Sequence, residues 1–166
     1  MVEKRQIVDG LRLNYNGVFD VVEFYKEVED WIVKRGMQKE TKKKGEHIKP
    51  HGKNIEWFIE IWKMPTDYAK IVIRLKALMT DVTDVEIKKG DSKLRLNQGN
   101  VVLFFDGFIE QDVKERWQQK PLYYFIRALY DKFVYKLWTD KFNKDVYAGC
   151  YELHKVLTDF FKRYQV

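Results

Sequence analysis

The stretch "NIEWFIEIWKM", residues 54–64, decides how the rest of the chain is read. Ile55, Trp57, Ile59 and Ile61 alternate with Glu56, Phe58, Glu60 and Trp62, and a period of two is the mark of a strand with one buried face. A second such stretch follows, "AKIVIRLKALM", residues 69–79, with Ile71, Ile73, Leu75, Ala77 and Met79 on one side against Lys70, Arg74 and Lys76. Pro65 and Asp67 separate the two. Phe58 and Trp62 depart from the pattern, because they place rings on the face that otherwise holds glutamates.

Outward from this pair, residues 38–48 alternate weakly and are mostly polar, and "PHGK" (50–53) turns the chain into residue 54. On the other side, "DVEIKKGDSKLRL" (84–96) reads as a hairpin turning at Lys89–Gly90. "NQGN" (97–100) reads as a further turn, leading into "VVLFFDGFIEQD" (101–112). Before all of these, "IVDGLRLNYNG" (7–17) is a first strand with Leu11 and Leu13 on one side. Val21, Phe24, Tyr25, Val28, Trp31 and Ile32 recur at helical spacing, with Asp20 as N-cap and Gly36 as terminator.

After Pro121 the chain is helical to about Arg163, with a break expected near "TDKFNKD" (139–145). Residues 121–142 hold eight aromatics in twenty-two positions. They do not form a membrane span, because Arg127, Asp131, Lys132, Lys136, Asp140 and Lys141 interrupt them. Leu122, Phe125, Ile126, Leu129, Phe133 and Leu137 form one stripe, suited to covering the sheet. Tyr124, Ala128, Tyr135, Trp138 and Phe142 form a second. A chain reversal at 140–145 would bury that second stripe against Val146, Cys150, Leu153, Leu157, Phe160, Phe161 and Tyr164. A continuous helix would leave Tyr124, Tyr135, Trp138 and Phe142 as an interface for a protein partner or a second copy.

The expected fold is therefore a single α+β domain over residues 1–166. An antiparallel meander of about six strands carries one N-terminal helix and a long C-terminal helix or helical hairpin. This element order, strand, helix, meander, long helix, resembles the helix-grip fold of the Bet v 1 and START-like proteins. The resemblance rests on order alone and implies a curved sheet wrapped around the last helix, with an apolar cavity for a hydrophobic small molecule.

The chain has 166 residues with 31 Lys and Arg, 25 Asp and Glu, and a net charge of +6. A chain of this length buries enough surface for one core. Residues 34–53, "KRGMQKETKKKGEHIKPHGK", hold eight of the basic residues and two of the acidic ones. The remaining 146 residues hold 23 of each, so the whole excess lies in one stretch. A lysine-rich edge strand that resists aggregation accounts for such a run. So does docking on a polyanion. The second reading assigns nucleic-acid contact to Lys39, Lys42, Lys43, Lys44, Lys49, His51 and Lys53, with Trp62, and Phe58 beside it, as rings able to stack on bases. In a regular strand Lys42 and Lys44 share one face and Lys43 the other.

Signatures of catalysis are sparse. His47 and His51 stand four apart, a spacing of about 13 Å in a strand; a turn at Pro50 could bring them together, but no carboxylate is in register to complete a metal site. Cys150 and His154 share helical i, i+4 spacing without an orienting third group, and Cys150 lies on an apolar stripe. The acids of "DVTDVE" and "DGFIEQD" do not match a calcium loop. No glycine-rich phosphate loop or G-x-S-x-G is present. A single cysteine fits the reducing cytoplasm. The reading is of a non-enzymatic basic module that docks on RNA or a ribonucleoprotein surface, without metal or cofactor. The alternatives are a helix-grip carrier or enzyme for a hydrophobic small molecule, and a structural subunit of a protein complex.

Overall fold

The computed structural model of the chain describes residues 2–66, 69–112 and 135–165. Five strands, β1 (Val2–Phe19), β2 (Gln38–Lys49), β3 (Gly52–Thr66), β4 (Ala69–Lys89) and β5 (Ser92–Asp112), form one antiparallel sheet in the order β1-β5-β4-β3-β2. Helix α1 (Val21–Lys34) joins β1 to β2, and helix α2 (Tyr135–Lys162) closes the chain. The α+β class is as the pattern of residues implies, with five strands in place of about six.

The count differs because β4 and β5 run on through segments that read as turns. Asn97, Gln98 and Asn100 pair with Asp84, Thr83 and Thr80 in the β4–β5 ladder, and with Phe19, Val18 and Asn16 on the β1 side. Gln98 and Asn100 face outward, while Asn97, half-buried opposite Phe19, accepts from the Val21 backbone N–H, so polarity there does not mark a reversal. The register slips between Thr80 and Thr83, where Asp81 takes a left-handed φ of 54° and a bulge absorbs the irregularity.

The inner face of the sheet is the alternating set read from the sequence. Ile55, Trp57, Ile59 and Ile61 of β3, Ile71, Ile73, Leu75, Ala77 and Met79 of β4, and Val101, Leu103 and Phe105 of β5 are all buried. Helix α1 begins where Asp20 accepts from the backbone N–H groups of Val22 (3.0 Å) and Glu23 (3.3 Å). It ends at Gly36, whose φ of 66° suits the position after a helix. Its apolar stripe brings Phe24 edge-on to Trp57 and stacks it on Phe161 of α2. Tyr15 of β1 stacks on the same Phe161 at 4.5 Å, so one aromatic cluster ties both helices to the sheet.

Helix α2 is continuous, so residues 140–145 are its interior and the chain does not reverse there. The segment contains no proline or glycine, and Phe142 and Val146 carry the apolar stripe across it at i, i+4. Phe142 is only 4% exposed and belongs to the core with Val146, Cys150, Leu153, Leu157, Phe160 and Phe161. Of the four residues expected to form an interface on the second stripe, Phe142 is thus buried. Tyr135 and Trp138 occupy the first turns of α2, and Tyr124, with the whole Leu122–Phe133 stripe, lies outside the described residues. Among the described side chains of α2, the exposed rings are Tyr147 and Tyr151, with ring centres 4.3 Å apart.

Candidate functional site

Strand β2 is one of the two edges of the sheet, and among its residues only Gly45 is even half-buried. Helix α1 touches it, yet most of its length lies outside the core, so its lysines reach water on both faces. A bulge between Thr41 and Lys43 resets the alternation. Lys42, the extra residue, turns to Glu40 (3.0 Å) and Glu60 (3.7 Å) on the outer face. Lys43 pairs with Phe58 in the register, forms an ion pair with Glu56 and lies over the Phe58 ring. Lys44 lies opposite Trp57 on the inner side, its ammonium 4.6 Å from the centre of the Tyr25 ring. The bulge therefore groups Lys42 with Lys43, not with Lys44.

Several of the basic residues are neutralised in space by acids distant in sequence. Lys39 pairs with Glu29 of α1, and Arg35 with Glu152 of α2, which also accepts from Trp31 Nε1 at 3.1 Å. The Lys43 hydrogen bond and the charges of Lys43 and His47 hold the Glu56 carboxyl below its usual value against some desolvation. At Glu60 burial pushes upward, but the Arg74 hydrogen bond and the Lys42, Arg74 and Lys4 charges outweigh it and the net shift is downward. Lys44, Lys49 and Lys53 have no acidic partner among the described residues. Lys49 and Lys53 flank the β2–β3 turn, with exposed His47 and His51 beside them, so the free charge gathers at the tip of this hairpin. Trp62 stands half-buried on the outer face of β3, with Lys70 4.6 Å over its ring.

The outer face carries more than the sequence reading found. Phe104 faces outward between inward Leu103 and Phe105, and its cross-strand neighbours are Lys76 and Arg12. The "LFF" of residues 103–105 holds the signal, because alternation obliges the middle residue to face away from the core. What it faces depends on strand pairing and is not written locally.

The Cys150–His154 pair does not form a catalytic dyad. The thiol is fully buried, and burial, helped by the Asp106 charge, pushes it up to about 12. His154 instead sets a ring nitrogen 3.1 Å from the Arg12 carbonyl and its ring edge-on to Phe105. Among the described residues no three His, Cys, Asp or Glu side chains cluster as a metal site, and no helix is long and apolar enough to cross a membrane.

No known family model, curated protein or solved structure matches the chain significantly.

Proposed function

We propose that the protein is a non-enzymatic module that docks on RNA through its basic edge. The observation that carries this is the placement of Lys44 and Lys49 on edge strand β2 and of Lys53 just across its turn in β3, without acidic partners among the described residues, where the chain's entire charge excess is found. Blunting an edge against aggregation requires only a lysine or two or a bulge. β2 has the bulge, and the unpaired lysines come in addition.

Affinity for a single-stranded RNA oligonucleotide should fall steeply with salt, with a log–log slope of roughly −0.7 per phosphate contact. Replacing Lys44, Lys49 and Lys53 together with Ala should flatten that slope by up to about two units. The Lys42→Ala/Lys43→Ala double variant should change it little, because Glu40, Glu56 and Glu60 already neutralise those ammoniums. A triple variant that binds with the wild-type slope would leave β2 as a solvated edge only.

The helix-grip carrier is the second reading, supported by element order. Against it stands the close packing of α2, whose Val146, Cys150 and Gly149 reach the sheet with no gap for a ligand at those positions.

A further inference from the structure

One transverse row on the outer face crosses all five strands. Lys43 of β2 pairs with Phe58 of β3, Phe58 with Lys76 of β4, Lys76 with Phe104 of β5, and Phe104 with Arg12 of β1. Cation and ring alternate without a break. Lys43 and Lys76 each place their ammonium 5.7 Å from the Phe58 centroid, and Arg12 its guanidinium 5.5 Å from that of Phe104. At a strand spacing of about 4.8 Å the two rings stand roughly 10 Å apart.

The fold does not require this row. Helices α1 and α2 cover the opposite face, and neither Phe58 nor Phe104 belongs to the core cluster of the described residues. The same face, two rows away, shows what a closed arrangement looks like. There Phe108 is buried beneath Lys4 and Arg74, and those cations are tied to Glu110 (3.7 Å) and Glu60 (3.0 Å). In the Phe58–Phe104 row both rings stay partly open to water, and Lys76 and Arg12 have no acidic partner among the described residues. Only Lys43, at the edge, is taken up by Glu56.

We infer that this row is a stacking platform for single-stranded nucleic acid, with unpaired bases on Phe58 and Phe104 and backbone phosphates on Lys76 and Arg12. The inference rests on the nucleic-acid reading above and adds strandedness and contacts to it. Rings on an open sheet suit bases whose faces are free, which a duplex does not offer. The row has acids on one flank, where Glu40, Glu60 and Asp106 bracket Arg74. On the other flank Gly45, Leu78, Val102 and Asn14 add no charge and Glu56 is paired with Lys43. The backbone therefore runs on this second flank, and the row's β2 end leads onto the basic edge strand.

The test is fluorescence anisotropy with a labelled single-stranded RNA 12-mer and with the same sequence as a duplex. The single strand should bind at least tenfold tighter. Phe58→Leu and Phe104→Leu should each weaken it about 5- to 150-fold, or about 1–3 kcal/mol, with the salt slope unchanged. Lys76→Ala with Arg12→Gln should flatten the slope. Phe58→Trp, which keeps a ring, should retain affinity and lose indole fluorescence on binding, and it serves if a leucine variant fails to fold. Equal binding of strand and duplex, insensitive to both leucine variants, overturns the platform and leaves the basic edge standing. No binding of either probe by the wild-type protein overturns both.

Discussion

Gly107 of β5 and Val146 of α2 meet so closely that a Cβ on the glycine would stand 2.5 Å from Val146 Cγ1 and 2.9 Å from Cys150 Sγ. From the helix side, a Cβ on Gly149 would stand 2.8 Å from Ile73 Cδ1. Two glycines, one on each partner, let α2 settle against the sheet. Gly107→Ala should therefore destabilise by about 1–3 kcal/mol, the usual cost of overpacking. In a Val146→Ala background the same change should cost less, and urea denaturation of the four proteins measures the difference. Strict additivity would mean that the two positions do not touch.

Cys150 should react slowly with thiol reagents in the native protein and quickly in denaturant, since the reactive form is the thiolate. The buried thiol's value is raised, so its contribution to stability is present below the free value near 9 and declines as pH rises from there towards 12. The loss of melting temperature between pH 8.5 and 10 should be smaller in Cys150→Ala than in the wild type. Equal slopes would place the thiol in water.

Asn143→Pro tests the continuity of α2. In a helix interior proline costs about 3 kcal/mol or more, and the Arg5–Asn143 hydrogen bond at 2.7 Å would be lost as well. Thermal melting should show a large drop. A variant as stable as the wild type would restore the chain reversal at 140–145.

Glu60 and Glu56 have lowered values, so the stability they confer is present above the ordinary glutamate value of about 4.3 and is lost as pH falls through the folded values. Glu60→Gln should flatten the acid limb of the stability curve between pH 5 and 3 and cost more at pH 6 than at pH 3. A wild-type acid limb in this variant would mean that the Arg74 pair contributes nothing.

The parts of the fold written in short-range periodicity were legible. Asp20, Gly36, the buried stripe of α1 and the inward residues of β3 and β4 follow from spacing alone. What the sequence hid lies in pairing. The polar run Asn97–Asn100 reads as a turn until Asp84 and Phe19 are seen beside it. The bulge at Lys42 reverses which lysines share a face, and no residue type announces it. In the basic segment the charge was visible, but the glutamates that neutralise half of it come from α1, α2 and β3. Phe58 and Trp62 stood out as misplaced rings. Phe104 did not, because its neighbours come from a register that brings together residues 12, 76 and 104.

The position of β1 beside β5 sets a timetable for synthesis. Phe19 ends the first strand and Asp112 ends its partner, 93 residues later. At about 5–20 residues per second, β1 waits roughly 5–20 s for the strand that will hold it. Strands β2 to β5 each follow their partner directly and zip up as they emerge, whereas β1 closes the sheet from the far end. During that interval Val8, Tyr15 and Phe19, all buried in the finished molecule, have no sheet to lie on. Of the five strands β1 thus waits longest for its partner, and a product truncated before residue 92 would leave it without that partner.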